Sequence, residues 1–80
     1  MMNTEEKVLQ ILTGIKPNKD MTQVEDIIEG GYLDSFELMA LIAQLSDEFG
    51  IEIGFDEITP ENFNTVKAIV AMTDRLLGKK

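Results

Sequence analysis

Asp34-Ser35 is the pair in this chain best placed to do chemistry. It sits in Gly31-Tyr32-Leu33-Asp34-Ser35-Phe36-Glu37-Leu38, where a polar loop gives way to an apolar helical pattern. A serine at a helix mouth has its hydroxyl in solvent, next to a carboxylate and to backbone N–H groups that lack intrahelical acceptors. Such a hydroxyl adds little to a core and suits the attachment of a prosthetic group. The alternative is purely structural: Asp34 caps the helix with Glu37 at N3, and Ser35 is an incidental first-turn residue. Phe36 is equally two-sided, either a plug at the helix mouth or a contact for a visiting protein.

Other chemistries find little support. The chain has no cysteine and no histidine, which removes Ser-His-Asp and Cys-His catalysis, thiolate metal sites and disulfides together. Asn18 to Glu29 places acceptors at the first, third and last positions of a twelve-residue calcium loop. The sixth position, which needs glycine for the sharp turn, is Gln23, so no calcium or other metal site is expected. Glu25-Asp26, Asp47-Glu48 and Asp56-Glu57 fit solvated faces. Met21, Met39 and Met72 suit gap-filling in a core or a softened surface.

Four helical segments must position the pair. Val8, Leu9, Ile11, Leu12 and Ile15 recur at helical spacing from Thr4 to Ile15, with Thr4 as N-cap. Lys16-Pro17 ends that helix. A long connection over 17–33 is pinned by Met21, Val24, Ile27, Ile28, Tyr32 and Leu33, with a helical turn near Gln23 to Ile28. The second helix runs from Ser35 to about Phe49. Its buried stripe is Leu38, Leu41, Ile42, Leu45 and Phe49, and Gly50 is its C-cap. Ile51 to Phe55 alternates like a strand without a partner, so it is an extended connector burying Ile51, Ile53 and Phe55. A short third helix falls between Asp56 and Phe63, with Pro60 near its start or its break. The fourth runs from Thr65 to about Leu77, with Asn64 as N-cap and Val66, Ile69, Val70 and Leu77 inward. The fold class is all-α, a small four-helix bundle with a long loop between helices 1 and 2. One domain spans 1–80, with 1–3 and the basic tail 78–80 frayed.

Eighty residues with fifteen acidic and seven basic side chains give a net charge of −8. That surface repels nucleic acid and anionic lipid and attracts basic protein patches. No apolar run nears the roughly 20 residues that span a bilayer, and the N-terminus shows no secretory signal. A soluble, cytoplasmic, monomeric protein is expected.

These residues resemble the acyl and peptidyl carrier proteins. The resemblance rests on Asp34-Ser35-Phe36 opening the second of four helices. It extends through Glu37-Leu38, Asp47-Glu48-Phe49, Ile51-Glu52-Ile53 and Thr65-Val66, so it covers essentially the whole chain. It implies an acyl-carrier-type bundle in which Ser35 accepts 4′-phosphopantetheine from coenzyme A and Asp34 caps the helix beside it. The implied partners are a phosphopantetheinyl transferase, an acyl- or aminoacyl-activating ligase and an acyl-accepting enzyme. They would meet the helix face of Phe36, Met39, Ala40, Ala43 and Asp47, flanked by Glu37. The carrier itself is not an enzyme. Ala40 stands where fatty-acid carriers commonly have glutamate, Ala43 where a bulkier residue is usual, and Phe36 where leucine is usual. These departures favour a free-standing, specialised carrier with its own ligase, such as a D-alanyl or other aminoacyl carrier, over the housekeeping fatty-acid one. The rival is an acidic helical docking module without a prosthetic group.

Overall fold

The computed structural model describes residues 3–78, and among these every regular element is helical. Helix α1 spans Thr4–Ile15, α2 Ser35–Phe49, α3 Pro60–Phe63 and α4 Val66–Leu76. Two 3-10 turns, Met21–Gln23 and Phe55–Glu57, interrupt the connections. Met1, Met2, Lys79 and Lys80, four of the terminal residues expected to fray, lie outside the described residues. Asn3 and Gly78, at the described edges, both make hydrogen bonds.

Asn3, not Thr4, caps α1. Its Oδ1 accepts from the Glu6 N–H at 2.8 Å, and the Glu6 carboxylate accepts from the Asn3 N–H at 3.2 Å. This reciprocal pair satisfies two donors at the helix start. Thr4 is thereby the first helical residue. It is buried, and its hydroxyl donates to Asp74 Oδ1 at 2.8 Å. Lys7 pairs with Glu48 at 3.6 Å near the end of α2. The start of α1 therefore lies beside the ends of α2 and α4, so α1 runs antiparallel to both.

The core draws on every part of the chain. Val8, Ile11 and Leu12 come from α1, Leu41 and Leu45 from α2, Phe63 from α3, and Val66, Ile69 and Met72 from α4. The long loop adds Met21, Val24, Ile27 and Leu33, all buried. Those side chains are why a 17-residue connection holds one path: each removes apolar area from water and anchors the backbone on either side. Leu38, Ile42 and Phe49 on α2 are only half-buried and pack at the margin.

Two further expectations, the burial of Phe55 and the cap of α4, are corrected. Phe55 is 91% exposed. The Glu57 N–H bonds the Gly54 carbonyl and the Ile58 N–H bonds the Phe55 carbonyl. That 3-10 turn sends Ile53 and Ile58 toward the core and leaves the intervening ring in solvent. The third helix lies within the expected span: α3 begins at Pro60, where a missing N–H costs nothing, and the turn at Phe55–Glu57 precedes it. Thr65 rather than Asn64 caps α4, its Oγ1 accepting from the Ala68 N–H at 2.9 Å. Leu77 lies just past the end of α4 and is half-buried.

Candidate functional site

Ser35 is the first residue of α2 and is exposed. Asp34 precedes it in extended conformation. Its Oδ1 accepts from the Glu37 N–H at 2.8 Å, while Glu37 Oε1 accepts from the Asp34 N–H at 3.0 Å. The Asp34 carbonyl accepts from the Leu38 N–H at 2.9 Å. The other Glu37 oxygen meets Lys16 Nζ at 3.0 Å, which ties the end of α1 to the start of α2. Asp34 and Glu37 thus spend their carboxylates on the helix start, and Ser35 is held between them facing solvent.

The loop that delivers Ser35 depends on two glycines. Gly31 has φ of +74°, a left-handed conformation that side chains rarely adopt. A Cβ on Gly30 would fall 2.7 Å from the Asp26 carbonyl oxygen, and the Gly30 N–H donates to that same oxygen. The chain can turn this tightly only without a side chain. Tyr32 then donates its N–H to the Ile27 carbonyl at 3.0 Å, and Lys19 Nζ lies 4.9 Å from the centre of the Tyr32 ring, a cation–π contact. Leu33 enters the core, and Asp34 follows.

Phe36 is 89% exposed, so it does not plug the helix mouth. Met39 is 62% exposed, and Ala43 and Asp47 are exposed as well. The spacing of 36, 39, 43 and 47 puts them on one stripe of α2 running away from Ser35. Ala40 is half-buried and sits on the flank of that stripe. Glu37 is engaged by Lys16 and by the capping box.

Asn64, assigned above to the wrong cap, reaches this region. Its Oδ1 accepts from the Ile28 and Glu29 N–H groups at 3.0 and 3.2 Å, and its Nδ2 donates to Glu29 Oε1 at 2.8 Å. No spacing rule links residues this far apart in sequence, and its place beside Thr65 made it look like a helix cap. On the opposite side of the fold, Arg75 forms a two-pronged pair with Glu57, whose Oε1 also accepts from Asn62 Nδ2. Glu57 is therefore tied in place, unlike the solvated Asp56 beside it. The Arg75 hydrogen bond, more than its charge or the Asn62 contact, holds the Glu57 carboxyl below the ordinary glutamate range.

An exposed hydroxyl at the N-terminus of a fifteen-residue helix fits a phosphodiester. The N–H groups of the first turn and the positive end of the dipole both favour an anion there. Glu37, the nearest carboxylate inside the helix, is offset by Lys16.

Residues 7–73 match the family described as phosphopantetheine attachment site. A D-alanyl carrier protein of Leuconostoc mesenteroides is 30% identical over 78 residues, covering 96% of this chain and 100% of the relative. D-alanyl carrier proteins of Enterococcus faecalis and of Streptococcus pyogenes serotype M1 are each 30% identical over 77 residues. They cover 94% of this chain and 99% and 96% of the relatives.

Proposed function

The chain belongs to the phosphopantetheine attachment-site family and is a carrier for covalent 4′-phosphopantetheine; we propose that Ser35 holds the group and that the cargo is a small aminoacyl unit such as D-alanyl. The observation that carries the assignment to Ser35 is its exposure at the first position of α2, fixed from both sides by the Asp34–Glu37 capping box. Transfer would join the Ser35 oxygen to phosphorus, break the pyrophosphate bond of coenzyme A and release the adenosine bisphosphate. The hydroxyl proton passes to the transferase. Once attached, the group supplies a thiol that carries the cargo as a thioester, chemistry that a chain without cysteine cannot supply itself.

The D-alanyl reading is supported by the relatives' names and by the small residues Ala40 and Ala43 on the partner-facing helix. Phe36, Met39, Ala43 and Asp47 form the surface that the transferase, an aminoacyl-activating ligase and the accepting enzyme would use. Ala40 and Glu37 border it. The catalytic steps belong to those partners, and the carrier works as a cytoplasmic monomer. No helix among the described residues is long and apolar enough to cross a membrane.

Intact-mass measurement after incubation with coenzyme A, magnesium and a broad-specificity phosphopantetheinyl transferase tests the assignment. One phosphopantetheine is expected on the wild-type chain and none on Ser35→Ala. A folded wild-type chain that gains no mass would sink the assignment and leave the acidic docking module in its place. Charging of the modified chain by a D-alanine-activating ligase, and not by fatty-acyl ligases, tests the cargo.

A further inference from the structure

Three successive backbone N–H groups of the long loop end on one residue. The Ile27 N–H donates to the Asn64 carbonyl at 2.9 Å, and the Ile28 and Glu29 N–H groups donate to Asn64 Oδ1. The same side chain's Nδ2 grips the Glu29 carboxylate. Asn64 is itself anchored: its N–H bonds the Pro60 carbonyl at 2.9 Å, the fully buried Phe63 precedes it, and the α4 cap Thr65 follows. Beyond the grip, the chain folds over Gly30 and Gly31 and reaches Ser35 within six residues of Glu29.

Backbone N–H groups in a loop must find acceptors, and water would serve as well as protein if only satisfaction mattered. Bonding all three to one core-anchored residue does more, because it fixes the direction in which 30–34 leaves the core. We propose that Asn64 is a positioning residue for the modification of Ser35: its carboxamide holds residues 28 and 29, and its backbone carbonyl Ile27, so that the following turn presents the serine to the transferase. This rests on Ser35 being the attachment site. A carboxamide is the group this place requires, since one end must accept from two N–H groups while the other donates to Glu29. Aspartate keeps the accepting end but sets a second carboxylate against Glu29.

The test is a donor–acceptor swap. Asn64→Asp is expected to lower kcat/KM for phosphopantetheine transfer roughly five- to tenfold, the scale of one or two lost hydrogen bonds. Rates are measured well below the melting temperature and per folded molecule. Hydrogen exchange at the amides of 28 and 29 should rise. Adding Glu29→Gln to Asn64→Asp restores a donor facing the carboxylate, and kcat/KM per folded molecule should recover to within about twofold. If Asn64→Asp fails to fold, Glu29→Ala on the exposed side of the clasp is the second probe. It should slow transfer two- to threefold, roughly one weak hydrogen bond, with faster exchange at 28 and 29. Transfer at the wild-type rate in a variant whose loop exchanges faster would overturn the proposal, as would a double variant that stays slow. A wild-type chain that is never modified would instead overturn the attachment-site reading beneath it.

Discussion

At the scale of single residues, Asp34 does two things that substitution can separate. As N-cap it accepts from the Glu37 N–H, and asparagine caps about as well as aspartate whereas alanine does not. Asp34→Ala is expected to lower stability by about 1 kcal/mol in urea unfolding, and Asp34→Asn by less than about half of that. Equal losses in the two variants would mean that the charge, not the cap, matters to the fold. This pair was legible because a capping box is a local spacing, aspartate followed three residues on by glutamate. The same spacing was present at Asn3 and Glu6 and marks the true start of α1. Thr4 drew attention because it too is a good cap former, but its hydroxyl is turned inward to Asp74. Asn64 was legible as a cap former next to a helix and as nothing more, since its acceptors and donors lie in a distant loop.

At the scale of elements, periodicity found the three long helices and most of their inward residues, because burial of one face repeats with the helical turn. It failed where the chain changes conformation every few residues. Ile51, Ile53 and Phe55 alternate as if sharing a face, yet the 3-10 turn starting at Phe55 breaks the alternation and exposes that ring. What holds the turn is the Glu57–Arg75 pair with Asn62, three side chains from the turn, α3 and α4. The pairing lowers the folded-state pKa of Glu57, chiefly through the Arg75 hydrogen bond. Its stabilising effect is therefore complete above the ordinary glutamate value of about 4.3. It is lost as pH falls through the depressed folded value, because the unfolded chain takes up the proton first. Thermal melts of wild type and Glu57→Gln should differ at pH 7, with the wild type higher, and converge toward the acid end. A gap of constant size down to the lowest pH at which the domain is folded would show that the charge on Glu57 contributes nothing.

Across the whole molecule, the two ends of the bundle differ in what they offer. One end presents Ser35 at the start of α2, joined to the end of α1 by Lys16–Glu37 and to the long loop that Asn64 holds. The other closes on Thr4–Asp74 and Lys7–Glu48. The proposed attachment and docking residues thus fall at one end and along one helix. The net charge of −8 was readable from composition, although its distribution was not. Lys7, Lys16 and Arg75 are each drawn into pairs with Glu48, Glu37 and Glu57. Exposed acids lie in the loop, at Glu25, Asp26 and Glu29, at the start of α2, at Asp34, and along α2, at Asp47. A field of one sign accelerates encounter with a basic partner and weakens as salt shortens its range, from roughly 30 Å at 0.01 M to 3 Å at 1 M. With coenzyme A saturating, kcat/KM for the carrier in the transferase reaction should fall several-fold across that range while kcat holds. The effect belongs to encounter rather than to the chemistry at Ser35. Replacing Asp26 and Asp47 by their amides, well away from the capping box, should flatten the salt dependence without slowing the reaction at high salt. A salt dependence that is unchanged in that variant would place the steering charge elsewhere, and none at all in the wild type would mean that docking rests on the apolar stripe of Phe36 and Met39 alone.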